Sequence, residues 1–391
     1  MTLRKEEIRS NNEKSVLQQI FIDEPISRIQ ISRNLGLNKS TVSAIYNDLK
    51  EKDLVVETGQ GDSSEVGGRK PVMIKVNKDY GYTINFDLGF NHLDVMANYI
   101  EGTPFSYDRI YTVGKDIHQM VEMLIEEAKK LSATREGLMG ISVAIHGIVM
   151  GTQIKSSPFI DMQDVDLYQV LTDEFEVPVV LENEANLVAM AQRDFSKLSD
   201  KRLHNIVVFS IHKGIGAGIV IDHEIYRGEY GEAGEVGRSI YLADPNNPDK
   251  GTKIEDFASQ DAIIETIRTN LSQPSLDFAG VAKLYYQQNE EVVKSVEDFC
   301  SYLSIIIYNT AMGLNPESIY ISSDLVENIP EMVPVLNAKY KMRSGNNLIE
   351  IFDMPGARYS SMLGGCSAIT HKALAMEGMD LKFNSELNKI L

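Results

Sequence analysis

Cysteine is nearly absent from this 391-residue chain. The two cysteines, Cys300 and Cys366, lie in apolar, helix-like contexts, which excludes a disulfide framework and a cysteine-rich zinc site. No apolar stretch reaches the ~18 residues of a membrane-spanning helix, and the first residues lack the apolar segment of a signal peptide. The sequence therefore predicts a protein of the reducing cytoplasm. Its length and its 43% hydrophobic residues predict two or three domains.

Basic residues are also scarce, since 38 Lys and Arg stand against 56 Asp and Glu, a formal net charge of −18. Residues 1–80 hold 13 of the basic and 12 of the acidic residues, a net charge of +1. The remaining 25 basic and 44 acidic residues give residues 81–391 a net charge of −19. An acidic body repels DNA. Any DNA contact should therefore be confined to residues 1–80, and affinity would depend on dimerisation.

The stretch from Ile26 to Lys52 has the pattern of two short helices joined by a turn. Ser27 and Gln30 form a capping box, which predicts a helix from Arg28 to Leu35. Gly36 tolerates the left-handed turn that ends this helix.

The second helix is predicted from Lys39 to about Lys52, with Asn38 as its cap. Val42, Ile45 and Leu49 recur at three- and four-residue spacing, which predicts one buried face. The other face and the first turn carry hydrogen-bonding side chains and one cation, namely Lys39, Ser40, Thr41, Ser43 and Asn47. Such side chains suit a helix that reads the major groove of DNA.

Two extended runs follow, Leu54–Glu57 and Val72–Val76, joined by a Gly- and Ser-rich tip. They indicate a β-wing whose Arg69 and Lys70 can reach phosphate or the minor groove. Together these features predict a winged helix-turn-helix DNA-binding domain over residues 1–80. The alternative is a small helical bundle packed on a larger domain.

From Tyr82 onward, a strand, a glycine turn and a returning strand occur twice. The two turns are Asp87-Leu88-Gly89 and Gly214–Gly218. Such a turn lets backbone N–H groups approach a phosphate, although glycine in hairpins is more often plain turn chemistry. The repeat predicts an α/β body of two related lobes around a cleft, over residues 81–190 and 191–391. The apolar helix Val292–Met312 is a candidate dimerisation helix.

On these motifs the chain resembles the ROK family (repressors, open reading frames and sugar kinases), which has the actin-like, sugar-kinase-type, ribonuclease H-like fold. The matching body motifs are Asp87–Gly89, Gly214–Gly218, Tyr226–Gly228, Gly234–Gly237 and Glu255–Ser259. The predicted winged helix is most similar to that of the xylose repressors of low-GC Gram-positive bacteria. The resemblance covers nearly the whole chain. It implies a homodimeric repressor of carbohydrate utilisation genes that binds a palindromic operator and responds to xylose or a related aldose.

Several positions depart from the pattern of the family's kinases. Asn91 replaces a Thr in the first phosphate turn, and His212-Lys213 replaces Gly-Thr ahead of the second. Ser322-Ser323 falls where a Gly-Gly pair is expected near adenosine, and Glu184 replaces the catalytic Asp. A general base must lie within hydrogen-bond reach of its substrate hydroxyl, so a longer side chain can misplace it. We expect no kinase activity and no ATP cofactor.

The resemblance also implies a structural zinc site, but its ligands are missing from the sequence. Arg238 replaces the family's His, and no cysteine lies between Tyr241 and Ile254. Zinc needs four Cys, His or carboxylate ligands, so we expect no metal.

What the resemblance leaves is a sugar pocket built from Asn183, Glu184, Glu235 and Glu255. Convergent carboxylates and amides suit sugar hydroxyls, although composition alone would make each Glu a solvated surface charge. Arg238 can pair with one of these carboxylates or bind an anionic ligand such as a sugar phosphate. His146 lies at a strand end near the cleft, but a lone His is more often structural.

Two alternatives to the sugar-responsive repressor remain open. One is a sugar kinase with an added DNA-binding domain. The other is a repressor that responds to a sugar phosphate or a partner protein.

Overall fold

The computed structural model describes residues 2–61, 70–196, 203–244, 247–345 and 348–384. These residues form an N-terminal head with a three-stranded sheet, followed by a body with two five-stranded sheets. In this part of the chain, no helix is long and apolar enough to cross a membrane.

The head is a winged helix-turn-helix. Its elements are α1 (Thr2–Asp23), β1 (Ile26–Ser27), α2 (Arg28–Leu35), α3 (Lys39–Glu51), β2 (Val55–Gln60) and β3 (Val72–Val76). The Oγ of Ser27 accepts the N–H of Gln30 at 3.2 Å. Gly36, with φ of 64°, ends α2 in the left-handed conformation. Helix α2 therefore has the predicted bounds, because the Ser27 side chain determines its start and the backbone freedom of Gly36 determines its end.

Helix α3 begins at the predicted residue, but the predicted side-chain cap is wrong. Asn38 has an extended backbone (φ −64°, ψ 142°), and its side chain makes no capping hydrogen bond. Only its carbonyl takes part, accepting the N–H of Val42 at 3.1 Å. Val42, Ile45 and Leu49 are buried as predicted, together with Tyr46.

The wing is the antiparallel pair β2 and β3, and β1 pairs with the other edge of β3. The N–H of Gly61 donates to the carbonyl of Pro71 at 2.9 Å, which extends the pairing toward the tip. Lys70 is exposed at the tip. Arg69, the other predicted wing contact, lies outside the described residues.

The body alternates strands and helices. Its first part contains β4 (Tyr82–Leu88), β5 (His92–Tyr99), β6 (Pro104–Tyr111), α4 (Ile117–Ser132), β7 (Leu138–Ile145), β8 (Ile148–Met150), β9 (Gln153–Ser156), α5 (Leu167–Phe175), β10 (Val179–Asn183) and α6 (Glu184–Phe195). Its second part contains β11 (Ile206–Ile211), β12 (Ile215–Ile221), β13 (Glu224–Ile225), β14 (Ile240–Asp244), β15 (Asn247–Lys253), α7 (Glu255–Ala258), α8 (Gln260–Leu271), α9 (Phe278–Tyr286), α10 (Glu290–Leu314), β16 (Ser318–Ser322), α11 (Asp324–Asn328), α12 (Met332–Ser344), β17 (Glu350–Asp353) and α13 (Ala357–Ala373).

Each five-stranded sheet starts from an antiparallel meander of three consecutive strands. The first sheet has the order β10-β7-β4-β5-β6. The second has the order β13-β12-β11-β16-β17, in which β16 and β17 extend the meander in parallel. The repeated topology confirms the predicted α/β body of two related lobes.

The chain divides into two compact units whose boundaries differ from the predicted domains. The first comprises Met1–Val143, Phe159–Leu181 and Gly365–Leu391, and the second comprises Ala144–Pro158 and Glu182–Gly364. The head belongs to the first unit, and residues 182–190, which the sequence placed in the first lobe, belong to the second. The sequence order could not show this division, because the chain passes between the units more than once.

The apolar face of α10 is covered by its own unit. Val296, Phe299 and Leu303 are at most 2% exposed, and they share one core with Phe209 of β11 and Ile321 of β16. The fold of the second unit therefore accounts for the burial of these three side chains, and a role of this helix in dimerisation stays a prediction.

Both cysteines are buried thiols inside helices. Cys300 lies in α10 and Cys366 in α13. Burial raises the pKa of each thiol to about 12. Because the thiolate is the reactive form, these cysteines are structural.

The predicted glycine turn Gly214–Gly218 is wrong in extent, because strand β12 contains Gly216 and Gly218. A Cβ on Gly218 would lie 2.1 Å from the carbonyl O of Ala185 and 2.5 Å from the Cβ of Ala189. Both alanines belong to α6. The glycine therefore permits close packing of α6 on β12, instead of exposing a backbone turn to phosphate.

We expect Gly218→Ala to destabilise the protein by about 1–3 kcal/mol, because the new methyl group overpacks the contact between α6 and β12. The measurement is the denaturant midpoint of unfolding. Gly313→Ala in α10 is the matched control. A Cβ there meets nothing within 4 Å, and alanine favours the helix by up to about 1 kcal/mol. Equal midpoints for the two variants would contradict the packing role of Gly218.

Candidate functional site

The predicted DNA-reading residues lie on one accessible part of α3. Lys39, Ser40 and Asn47 are exposed, and Thr41 and Ser43 are partly exposed. The first turn of α3 carries no acidic residue. Its N–H groups and the Lys39 ammonium can therefore meet a phosphate, while the hydroxyl and amide side chains remain able to contact base edges.

A hydrogen-bonded group that the sequence did not reveal connects α3 to the wing. The Tyr46 hydroxyl donates to Oε1 of Glu57 at 2.6 Å, and the Lys50 ammonium donates to the same oxygen at 2.8 Å. The guanidinium of Arg28 lies 4.9 Å from the centre of the Tyr46 ring. Hydrogen bonds from Lys50 and Tyr46 hold the pKa of Glu57 below its usual value. The wing therefore keeps a defined position beside α3.

A second group of polar side chains lies in the second unit, where β10 leads into α6 and β11 ends. Glu184, in the first turn of α6, is only 6% exposed. Its Oε1 accepts the hydroxyl of Ser210 at 2.8 Å. The Nε2 of His212 lies 3.5 Å from the same oxygen. The carboxylate is thus held in one orientation by residues of the neighbouring strand end.

Two histidines meet beside this carboxylate. The rings of His146 and His212 lie 6.2 Å apart in an edge-on arrangement, and Nδ1 of His212 is 3.5 Å from Nε2 of Gln260. The sequence marked His212 only as a departure from the kinase pattern, and it left His146 as structural. The shared signal is their position, since each follows a buried strand.

Asn183 has a structural role at this point of the fold. Its Oδ1 accepts the N–H of Asn186 at 3.1 Å as the N-cap of α6, and its Nδ2 donates to the carbonyl of Gly147 at 2.8 Å. The preceding Glu182, which is buried, pairs with Arg227 at 2.7 Å. Sequence reasoning did not single out this ion pair. A sugar contact from Asn183 stays a prediction, and it would have to coexist with both hydrogen bonds.

The remaining predicted sugar residues gather around a short 3-10 turn, Val236–Arg238. A guanidinium N–H of Arg238 lies 3.7 Å from Oε2 of Glu235. An ideal Cβ on Gly237 would lie only 2.7 Å from Oε2 of Glu255, so the Glu255 carboxylate occupies the space that this glycine leaves. Burial raises the pKa of Glu235, the Arg238 charge lowers it, and the Glu255 charge raises it.

The turn after β11 lies next to both groups. His212 contributes its side chain to the Glu184 group, and an ideal Cβ on Gly214 would lie 3.3 Å from Oε2 of Glu255. The same turn thus contacts Glu184 through His212 and approaches the Glu255 carboxylate at Gly214. Carboxylates accept hydrogen bonds and imidazoles donate or accept them, so this set can bind a ligand that offers several hydroxyl groups.

The residues around the 3-10 turn do not fit the zinc site of the resembling proteins. Arg238 carries a permanent charge and pairs with Glu235, whereas zinc needs Cys, His or carboxylate donors. Within the described ranges, no group of three or more His, Cys, Asp or Glu side chains could hold a metal ion. The absence of zinc stays a prediction.

A winged helix-turn-helix joined to a two-lobed body of the sugar-kinase type defines a class of protein, the transcription regulators built on a sugar-kinase fold. A sequence profile of the ROK family matches residues 83–370, and the chain belongs to that family.

The chain is similar over nearly its whole length to proteins named xylose repressor. It is 41% identical over 385 residues to that of Lactiplantibacillus pentosus, covering 98% of each chain. It is 38% identical to that of Staphylococcus xylosus, covering 96% of this chain and 98% of the relative. The similarity includes the head, which the family profile leaves out.

Solved structures show the same fold. A ROK family transcriptional regulator described as a homologue of the Escherichia coli MLC protein aligns with a TM-score of 0.77 at 20% identity, over 94% of this chain and 98% of its own. A ROK family glucokinase from Streptomyces griseus, solved with glucose and AMPPNP, aligns with a TM-score of 0.62 at 17% identity, over 74% of this chain and 99% of its own. The kinase lacks a counterpart for about a quarter of this chain, whereas the regulator covers nearly all of it.

The raised pKa of Glu235 predicts a pH-dependent effect of Glu235→Gln. In the unfolded chain the pKa of this carboxyl is near its ordinary value of 4.5, but burial raises the pKa in the folded protein. Its ionisation therefore lowers the free energy of unfolding as the pH rises. We expect the thermal midpoint of Glu235→Gln, relative to the unmutated protein, to increase from about pH 4.5 to about pH 7.5. Glu229→Gln, at an exposed residue nearby, is the control, and a pH-independent difference for Glu235→Gln would disprove the effect.

Proposed function

We propose that this protein is a sugar-responsive transcriptional repressor of xylose utilisation genes. The observation that carries the proposal is the full-length similarity to xylose repressors, head included, combined with the accessible polar face of α3. Because its proposed target is operator DNA, it acts in the cytoplasm. The genes that it regulates are proposed from the names of the relatives. Its mode of action is proposed from the polar face of α3 and from the polar side chains of the second unit.

The head binds DNA as one of a pair. Its charge is balanced, since residues 1–80 contain 13 basic and 12 acidic residues, and phosphate neutralisation supplies most of the affinity for DNA. A single head, whose predicted DNA contacts include the exposed cations of Lys39 and Lys70, would bind DNA weakly. A homodimer on a palindromic operator engages two heads at once, which raises the affinity by avidity.

The ligand of the second unit is an uncharged sugar rather than its phosphate. Glu184, Glu235 and Glu255 give the site a negative charge, and the guanidinium of Arg238 is already paired with Glu235. A phosphate dianion placed among carboxylates is repelled. A neutral polyol instead donates hydroxyl hydrogen bonds to the same oxygens.

The site supports binding better than phosphoryl transfer. A general base has to accept the proton of the attacking hydroxyl, whereas Oε1 of Glu184 already accepts the Ser210 hydroxyl and lies near His212. In this proposal a bound sugar is held and not phosphorylated. We therefore propose that the protein is not an enzyme. The similarity of fold to the glucokinase keeps sugar kinase as the second candidate function.

The sugar acts on DNA binding by changing the balance of two conformations. A ligand shifts such a balance only through its different affinities for the two states, and the coupling to the second ligand is reciprocal. Operator DNA should therefore weaken sugar binding by the same factor by which the sugar weakens operator binding.

Footprinting on the promoters of the protein's own gene and neighbouring sugar genes tests the ligand. We expect a protected palindrome that is lost with D-xylose or a related free aldose and kept with the corresponding phosphates. Glu255→Gln should bind the operator normally and need at least about tenfold more sugar for release, since one charge-assisted hydrogen bond contributes about 1.5–3 kcal/mol. Glu232→Gln is the control. Loss of protection only with a sugar phosphate, or ATP-dependent phosphorylation of an aldose, would support the alternatives.

The double substitution Lys39→Ala and Ser40→Ala tests the reading helix. We expect the operator affinity to fall about tenfold or more, because the change removes a phosphate contact and a hydroxyl, with sugar binding unchanged. Lys52→Ala, beyond the C-terminus of α3 and paired with Glu13 on the surface, is the control for loss of one charge. An affinity equal to that of the control would disprove the assignment of α3.

A further inference from the structure

The last described residues of the chain pack against the DNA-reading head. The segment that follows α13, residues 374–384, is called here the C-terminal strap. Its apolar side chains Met376, Leu381 and Phe383 are at most 3% exposed. The Phe383 ring lies 6.0 Å from the ring of Phe21 in α1, and Nε2 of Gln18 donates to a carbonyl of the strap at 3.1 Å.

The end of the strap joins the head to the first lobe through one asparagine. The Nδ2 of Asn384 donates to Oε1 of Glu24 at 3.2 Å, and its N–H donates to the carbonyl of Glu101 at 2.8 Å. Glu24 follows α1, and its Oε2 also accepts the N–H of Val76, the last residue of the wing, at 3.0 Å. Glu101 lies in the turn between β5 and β6 of the lobe. Helix, wing, strap and lobe therefore meet at this point.

The other end of the strap is anchored on the lobe. The N–H of Met376 donates to the carbonyl of His371 at 2.8 Å, which folds the strap back onto the end of α13. The Lys372 ammonium donates to the carbonyl of Val179 in β10 at 2.8 Å, and an ideal Cβ on Gly140 of β7 would lie 2.5 Å from Ile369 of α13. The strap thus starts from a helix that is packed on the first sheet.

The head is also joined to the lobe by a short covalent link, residues 77–81. Residues 77–81 contain a single 3-10 turn, Lys78–Tyr80, whose Asp79 forms an exposed ion pair with Arg135 at 2.7 Å. An exposed ion pair contributes little to rigidity. The Lys78 ammonium also lies 5.3 Å from the centre of the Tyr99 ring. The strap adds a second attachment, whose buried aromatic contact restricts rotation further.

We propose that the C-terminal strap fixes the orientation of the DNA-reading head on the first lobe. This inference depends on the proposed function, since it concerns how a dimer presents two heads to one operator. Two heads of fixed orientation can bind half-sites of one spacing only. When the spacing prevents both heads from binding, the gain in affinity from avidity, a factor of about 10²–10⁴, is lost. The strap is therefore the element through which a change in the body is transmitted to operator spacing.

The test measures the operator affinity of the full-length unmutated protein, of Phe383→Ala and of Lys382→Ala. The operators have the native half-site spacing or insertions of 1, 2 and about 5 base pairs, and the longest insertion corresponds to half a helical turn. Lys382 is exposed on the same strap and serves as the matched control. We expect the unmutated protein and Lys382→Ala to bind the native spacing at least about 100-fold more tightly than the half-turn insertion. We expect Phe383→Ala to reduce that ratio to less than about tenfold and to weaken the sugar response.

A Phe383→Ala protein that keeps the full spacing discrimination would overturn the proposal. Hydrogen exchange of α1 and of residues 77–81 tests the strap independently of the proposed binding of two heads to one operator. If the unmutated protein shows no preference for any spacing, the paired-head mode of DNA binding fails. In that case faster exchange in Phe383→Ala than in Lys382→Ala would still support the strap, and equal exchange would overturn it.

Discussion

Helix α6 lies against strand β12 because Gly218 has no side chain, and the position of the Glu184 carboxylate depends on this approach. The helix starts with Glu184, so its distance from the sheet determines whether the carboxylate can accept the hydroxyl of Ser210 at 2.8 Å. A methyl group at Gly218 would meet the backbone of α6 at 2.1 Å and force the helix outward. The packing of two apolar surfaces thus positions a polar site.

The same site carries a cost in stability. Burial next to a second carboxylate raises the pKa of Glu235, so its charged form is disfavoured in the folded protein. Groups with a perturbed pKa are common in binding sites, where stability is exchanged for function. Bound hydroxyl groups would supply hydrogen bonds to these oxygens, which links the stability of the second unit to sugar binding.

A body that binds a sugar and a head that reads DNA need a mechanical connection. Among the described residues, the short link at residues 77–81 and the strap at residues 374–384 both connect the head to the first lobe. The body carries a net charge of −19, which repels DNA, so DNA contacts are expected from the head. A ROK fold can in this way serve regulation without phosphoryl transfer, since the sugar needs only to favour one of two conformations.

Much of the local structure followed from the sequence alone. The capping serine and Gly36 determine the bounds of α2, the spacing of Val42, Ile45 and Leu49 determines the buried face of α3, and the repeated strand patterns predicted both lobes. These signals act between residues that are at most a few positions apart, so they can be read directly along the chain.

Only the tertiary structure showed that Gly218 serves helix packing and that Tyr46 connects the reading helix to the wing through Glu57. It likewise placed His212 beside Glu184 and the strap on α1. Gly218 lies 29 and 33 positions from the two alanines of α6 that it contacts. Glu57 lies 11 positions from Tyr46, and the strap carbonyl that Gln18 contacts lies 362 positions from Gln18. Such pairs leave no periodic pattern in the sequence, because they form only when separate elements pack together.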